Sequence, residues 1–244
     1  MLKKYVAMGL LVVMAVGVQA EPIRTALTKE NRMPRLYQAE LGAVFHYVER
    51  DDGELYSGVP YLRYTVLPDF SLFARVPYLN VDPDWGNSES GIGDVSLGFE
   101  FLAYEDLFKY PWIMPHAEVF MDTGDEEKGL GAGDPQYLLG LAIGTTTYRH
   151  FNYAVDARYR ILDNQDNIPS IAGSLVWDLD DRFSLIGEIE VSREKEEGND
   201  SHPITFLAGM HYAATDSFQF GLHGGTTTNS DVDVLVRGNL SYSF

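Results

Sequence analysis

Residues 232–244 read Val-Asp-Val-Leu-Val-Arg-Gly-Asn-Leu-Ser-Tyr-Ser-Phe. Taken alternately, they split into two rows. Val232, Val234, Val236, Gly238, Leu240, Tyr242 and Phe244 form one row; Asp233, Leu235, Arg237, Asn239, Ser241 and Ser243 form the other. Successive side chains of an extended chain point to opposite sides. The stretch therefore predicts a strand with one greasy face and one polar face, ending on an aromatic residue.

The same alternation recurs in eleven further segments: 35–48, 56–66, 70–79, 92–103, 111–121, 136–147, 151–161, 170–179, 183–192, 204–213 and 218–224. In 92–103, for example, Val95, Leu97, Phe99 and Phe101 oppose Asp94, Ser96 and Glu100. Segments of roughly 8–13 residues suit tilted strands that cross a bilayer. Aromatic residues stand at many segment ends, among them Tyr37, Tyr47, Phe70, Tyr78, Tyr137, Tyr153, Trp177, Phe183, Tyr212, Phe218 and Phe244. That is where interfacial girdles form. Short links (67–69, 148–150, 180–182, 214–217) alternate with longer acidic ones (49–54, 82–90, 122–135, 163–169, 193–203); the link 105–110 is a longish exception on the short side. Together these predict an all-β chain: a transmembrane antiparallel up-and-down β-barrel of about twelve strands, short turns periplasmic and long loops external. A soluble sandwich would also alternate. Here, however, the apolar rows run through nearly every strand to aromatic ends, and the opposite row is charged or glycine-rich.

The first twenty residues are expected to be separate. Lys3 and Lys4 precede an apolar run from about Val6 to Val18, and Val18-Gln19-Ala20 supplies small residues for cleavage. This predicts a secretory signal peptide over 1–20, cut after Ala20. Residues 21–34 are then a periplasmic segment and 35–244 the barrel, placed in the outer membrane of a Gram-negative cell. The apolar run is too short for a retained membrane helix. Without the two lysines, 16 basic residues face 36 acidic ones. A nucleic-acid partner, which needs a basic footprint, is therefore not expected. With no cysteine, thiol chemistry and disulfides are excluded.

The polar row holds the chemistry. Glu40, Arg63, Arg75, Glu100, Glu118, Asp156, Arg158, Arg160, Glu188, Glu190, Asp233 and Arg237 all fall on the lumen side in this register. Twelve strands enclose more space than ordinary side chains fill. These charges can stiffen the wall as ion pairs, or line a pore and set its selectivity.

Two stretches carry a resemblance. Gly91-Ile92-Gly93-Asp94-Val95-Ser96-Leu97-Gly98-Phe99 resembles the G-x-G-D-v-x-l-G strand opening of the MetA-pathway of phenol degradation family. Thr123-Gly124-Asp125-Glu126-Glu127-Lys128-Gly129-Leu130-Gly131-Ala132-Gly133 resembles its T-G-d…k-G-l-G-x-G loop. The resemblance implies an outer-membrane, transporter-like barrel with no catalytic residues assigned, and makes small aromatic or hydrophobic compounds the first expected solutes. Within the loop, Gly124, Asp125, Lys128, Gly129, Gly131 and Gly133 are candidates for a constriction or gate. It is not a phosphate loop, lacking Gly-Lys-Ser/Thr and a following helix. Its acids Asp122, Asp125, Glu126, Glu127 and Asp134 offer hard oxygen ligands without EF-hand spacing, so no metal site or cofactor is predicted.

The expected function is passive passage of small solutes through a charged lumen. The expected partners are the solute, membrane lipid, lipopolysaccharide bridged through the acidic loops, and the barrel-assembly machinery, engaged by the strand ending at Phe244. Two other classes compete. One is a rim enzyme using His116 with Glu118, or His211 and His223 on neighbouring strands. No G-x-S-x-G or H-E-x-x-H specifies a nucleophile or metal pair, so an enzyme is not expected. The other is a structural or surface-interaction barrel with a closed lumen.

Overall fold

In the computed structural model the described residues are 24–30, 36–51, 53–84, 87–105, 111–147, 150–163, 166–196, 199–228 and 232–244. The expected signal peptide, its cleavage site, residues 148–149 and most of the link 105–110 lie outside them. The alternating rows form twelve wall strands. They are β1 (Ala39–Arg50), β2 (Gly53–Leu67), β3 (Phe70–Arg75, resumed as Tyr78–Pro83), β4 (Glu89–Ile92, resumed as Ser96–Phe101), β5 (Trp112–Phe120) and β6 (Gln136–Thr146), followed by β7 (Phe151–Ile161), β8 (Ile168–Asp178), β9 (Phe183–Ser192), β10 (Ile204–Ala213), β11 (Phe218–Thr228) and β12 (Val232–Ser243). A small hairpin, Glu194–Glu196 with Asn199–Ser201, stands above β9.

Each strand pairs antiparallel with its chain neighbour, and β1 pairs with both β2 and β12. The sheet is therefore closed. Closure is what allows strands to cross lipid, since an open edge would leave backbone groups unbonded in hydrocarbon. The seam is tied by a reciprocal pair at its short-turn end: Ala39 N donates to Phe244 O and Phe244 N to Ala39 O, each at 2.9 Å.

Burial fixes the faces. Leu97 and Val155 are 46 and 50 % exposed to the outside, whereas Glu100 and Asp156 are 1 % exposed inside. The greasy row is the outer wall, as the alternation predicts. Aromatics contact one another on that wall, including Phe151 with Trp177 and Tyr212 with Phe220, each at 5.5 Å between ring centres.

Two features differ from the sequence reading. The link 49–54 is not a long loop: β1 runs to Arg50 and β2 resumes at Gly53, with Glu49 opposite Glu54. Several strands also outrun their apolar rows, β11 reaching Thr228 and β3 reaching Pro83. Where a strand stands clear of lipid, both faces meet water and the hydrophobic alternation that marks it disappears. In addition, β3 breaks at Val76–Pro77 and β4 at Gly93–Asp94–Val95. Proline has no N–H for the ladder, and glycine weakens a strand interior.

Inside, small residues receive large ones. A methyl group at Gly140 would lie 2.1 Å from the His116 ring, and one at Gly98 would lie 2.3 Å from Phe73. Glycine on one strand lets the neighbour's bulky side chain lie flat against the wall. Towards the short-turn end Leu102, Trp112, Met114, Ala142 and Ala154 form a buried apolar cluster.

Candidate functional site

The lumen is built in three levels. The lowest is occupied by the chain itself. Residues 24–30, expected as part of a periplasmic segment, are seated inside the barrel. They carry no apolar row, so nothing recruits them to the wall; their polar groups bond across the lumen instead. Thr25 Oγ1 donates to Thr28 O (2.9 Å), making a tight local turn. Glu188 on β9 accepts from Ala26 N (2.7 Å) and Leu27 N (2.8 Å). Thr28 Oγ1 donates to Ser174 Oγ (2.7 Å), and Arg237 Nη1 on β12 donates to Ala26 O (2.7 Å). Arg24 is bonded to Glu30 (2.8 Å), to Ser184 (2.9 Å) and to Asp178. Burial works against its charge, but Glu30 and Asp178 outweigh this and hold the guanidinium above its ordinary pKa.

The middle level is an ion-pair web. Arg63 bridges Glu40 and Glu100, both at 2.9 Å, and Lys29 of the inner segment reaches Glu100 at 3.1 Å. Tyr61 Oη donates to Glu40 (2.6 Å). Glu40, Arg63 and Glu100 are almost fully buried. Buried charges are tolerated only when paired in this way. His116 Nε2 lies 3.0 Å from Asp156.

Above it opens a cavity of about 410 Å³, floored by residues 25–29 and walled by β1 to β7 and β12. Arg75 is held by Glu118 (2.8 Å), which also accepts from Ser96 Oγ (2.6 Å); Arg158 is held by Glu190 (2.5 Å). Arg160 lies over the Phe120 ring at 4.6 Å, and Arg75 over Phe73 at 4.7 Å. Eleven of the twelve lumen-side charges named from the sequence, all but Asp233, therefore point inward. Asp233 does not: it is exposed at the rim, in the register shift between β12 and β1.

The glycine loop folds onto the break in β4. Asp94, in the break of β4, accepts from Thr123 N (3.2 Å), Gly124 N (2.9 Å) and Ala132 N (2.8 Å). The Thr123 hydroxyl donates to Gly93 O (3.0 Å) and accepts from Val95 N (2.8 Å). Leu130 is buried against Gly91 and Gly93. Gly129 is left-handed (φ 69°) after the short turn Glu126–Lys128, and a methyl group at Gly124 would strike Leu130 O at 2.3 Å. Asp125 and Lys128 pair on the surface at 2.9 Å. The two motifs, some thirty residues apart in sequence, are one knot centred on Asp94.

Sequence reasoning missed residues 24–30, Asp94 as the organiser of the loop, and Phe73 and Phe120 beneath the arginines. The last two had a signal: Phe73 stands between Ser71 and Arg75, and Phe120 two places after Glu118, each on the lumen side of its strand.

A closed, lipid-belted barrel around a charged, partly filled lumen defines a transmembrane barrel of the outer-membrane type. The chain belongs to the family described as "Putative MetA-pathway of phenol degradation", whose profile matches residues 37–244. The COG4313 outer membrane channel from Pseudomonas putida F1 superposes with a TM-score of 0.75 at 13 % identity, covering 90 % of this chain and 100 % of that one. The NanC porin gives 0.61 at 9 % identity, covering 83 and 98 %. The KdgM porin, solved in complex with oligogalacturonate, gives 0.59 at 12 % identity, covering 83 and 99 %. A comparison with curated proteins gave no match.

Proposed function

We infer that the protein is a narrow outer-membrane channel for passive movement of small solutes, and not an enzyme. The observation carrying this reading is the cavity of about 410 Å³ inside a closed barrel, floored by residues 25–29 and with Asp94, the residue that ties the glycine loop, in its lining. Neither the inner segment nor the glycine loop is a strand of the wall, the one held by hydrogen bonds and ion pairs and the other by the Asp94 bonds and Leu130, so each can move without breaking the barrel. The lumenal charges act as the selectivity lining, and Gly124 to Gly133 as the mouth gate. The family's description favours aromatic or hydrophobic compounds as solutes, and the likeness to channels and porins supports passage itself. Lipid, lipopolysaccharide and the barrel-assembly machinery are the partners this reading entails. Against catalysis stands the placement of His116: its Nε2 is tied to Asp156 within the wall, with no nucleophile bonded to the ring among the described residues.

One observation favours a closed structural barrel instead: the inner segment fills the periplasmic half. Planar-bilayer recording separates the two. A channel gives discrete current steps that enlarge when residues 21–30 are deleted. Silence from both the full chain and the deletion, each shown folded by heat-modifiable migration, refutes passage.

A further inference from the structure

The cavity is not neutral. Six cationic side chains line it, Lys29, Arg63, Arg75, Arg158, Arg160 and Arg237, against four acidic ones, Asp94, Glu100, Glu118 and Asp156. The lining is thus net positive by two, in a chain whose formal charge is −18. The excess can be located. Each lining acid is satisfied: Glu100 by Arg63 and Lys29, Glu118 by Arg75 and Ser96, Asp156 by His116, Asp94 by three backbone N–H groups.

Two arginines are not. Arg160 makes no hydrogen bond or ion pair among the described residues and is held only by stacking on Phe120. Arg237 gives one hydrogen bond, to the neutral carbonyl of Ala26. The carboxylates whose fields act most on them, Glu118 and Glu188, are taken by other donors. A guanidinium carries five donors and cannot shed its charge. Stacked on an aromatic face, it keeps its edge free for a planar bidentate acceptor. The cavity lining also holds apolar side chains, among them Val44, Val59, Pro77, Phe120 and Leu138.

We propose that this cavity is a binding site for small organic carboxylates with an apolar body, Arg160 and Arg237 supplying the free guanidinium donors and the apolar lining taking the body. The site rests on the channel reading and names its preferred solute class. The carbonyl of Ala26 is the group a carboxylate would displace from Arg237, so occupancy of the site also loosens the inner segment at that point. The acidic external loops do not cancel this, because at physiological salt their field decays over about 8 Å.

The test uses the full chain purified in detergent, titrated calorimetrically with benzoate, benzyl alcohol and benzylamine. Benzoate is expected to bind and the isosteric alcohol and amine to bind far more weakly. Arg160→Gln should weaken benzoate about tenfold or more, the usual worth of a hydrogen bond to a charged group, and Phe120→Leu should weaken it less. Arg160→Gln strands no buried carboxylate, so the barrel should fold, and heat-modifiable migration verifies this. Arg237→Gln is the second variant and should show the same loss. Benzoate binding no tighter than benzyl alcohol, stronger binding of benzylamine, or unchanged benzoate affinity in both arginine variants would overturn the proposal. Current steps without carboxylate preference would sink this site alone; benzoate binding to a protein silent in bilayers would sink the channel reading alone.

Discussion

Replacing Asp94 by alanine should release the mouth loop while leaving the barrel intact. The carboxylate accepts three backbone N–H groups, from Thr123, Gly124 and Ala132. These lie on a partly exposed loop, so water replaces the lost acceptor. The appropriate figure is then the net value of about 0.5–1.5 kcal/mol per bond rather than the full cost of a stranded donor. Three bonds give about 2–4 kcal/mol, which at 1.4 kcal/mol per decade shifts the closed-to-open ratio by about 30- to 1000-fold. Amide hydrogen exchange at these three positions reads that ratio directly, because protection falls with the local opening free energy. Asp94→Asn, which keeps one acceptor oxygen but no charge, should fall between. Exchange at the three amides unchanged in Asp94→Ala, with the barrel still heat-modifiable, would refute the claim that one carboxylate ties the two motifs together.

Other outcomes follow from other parts of the lumen. Glu188→Ala strands the N–H groups of Ala26 and Leu27. At about 1–3 kcal/mol per unsatisfied donor, open events in bilayer recordings should become at least several-fold more frequent, and an unaltered record would count against the inner segment as the constriction. Arg63→Met leaves Glu40 and Glu100 facing each other without their bridge. A loss of about 3–5 kcal/mol is expected, nearer the lower figure because Lys29 still reaches Glu100; denaturant unfolding in vesicles measures it. Leu141→Arg, on the outer wall in the middle of β6, should destabilise by about 2–4 kcal/mol, whereas the same change in a soluble protein's exposed leucine would be nearly silent. Hydrogen bonding to Lys128 holds the Asp125 carboxyl below its ordinary pKa. Its support of the loop is therefore present above the unfolded pKa and lost as pH falls through the lower, folded value; chemical shifts of the Glu126–Lys128 turn should move only in that acid range.

The outer wall was legible because lipid imposes one demand on every strand. Leu97, Leu141 and Val155 must all be apolar, and period 2 records that without reference to any neighbour. The inward direction of Glu100 or Arg158 follows from the same period. Their partners do not, since pairing depends on strand register and on distances across the lumen: nothing local says that Arg63 joins Glu40 to Glu100. Residues 24–30 were illegible for a further reason. Arg-Thr-Ala-Leu-Thr-Lys-Glu has no periodicity, and the groups that hold it, such as Glu188 and Ser174, lie some 150 residues away. The knot at Asp94 was half visible, as two glycine motifs with no indication that they meet.

The seam between β1 and β12 joins positions some two hundred residues apart, with Leu41 opposite Tyr242. Every other wall contact links segments adjacent in the chain, and such local pairings form early. The seam cannot zip until all the intervening hairpins exist. Until then both outermost strands offer bare backbone to any other strand nearby. The inner segment is anchored to β4, β8, β9 and β12 at once, so its full set of bonds exists only in the closed barrel.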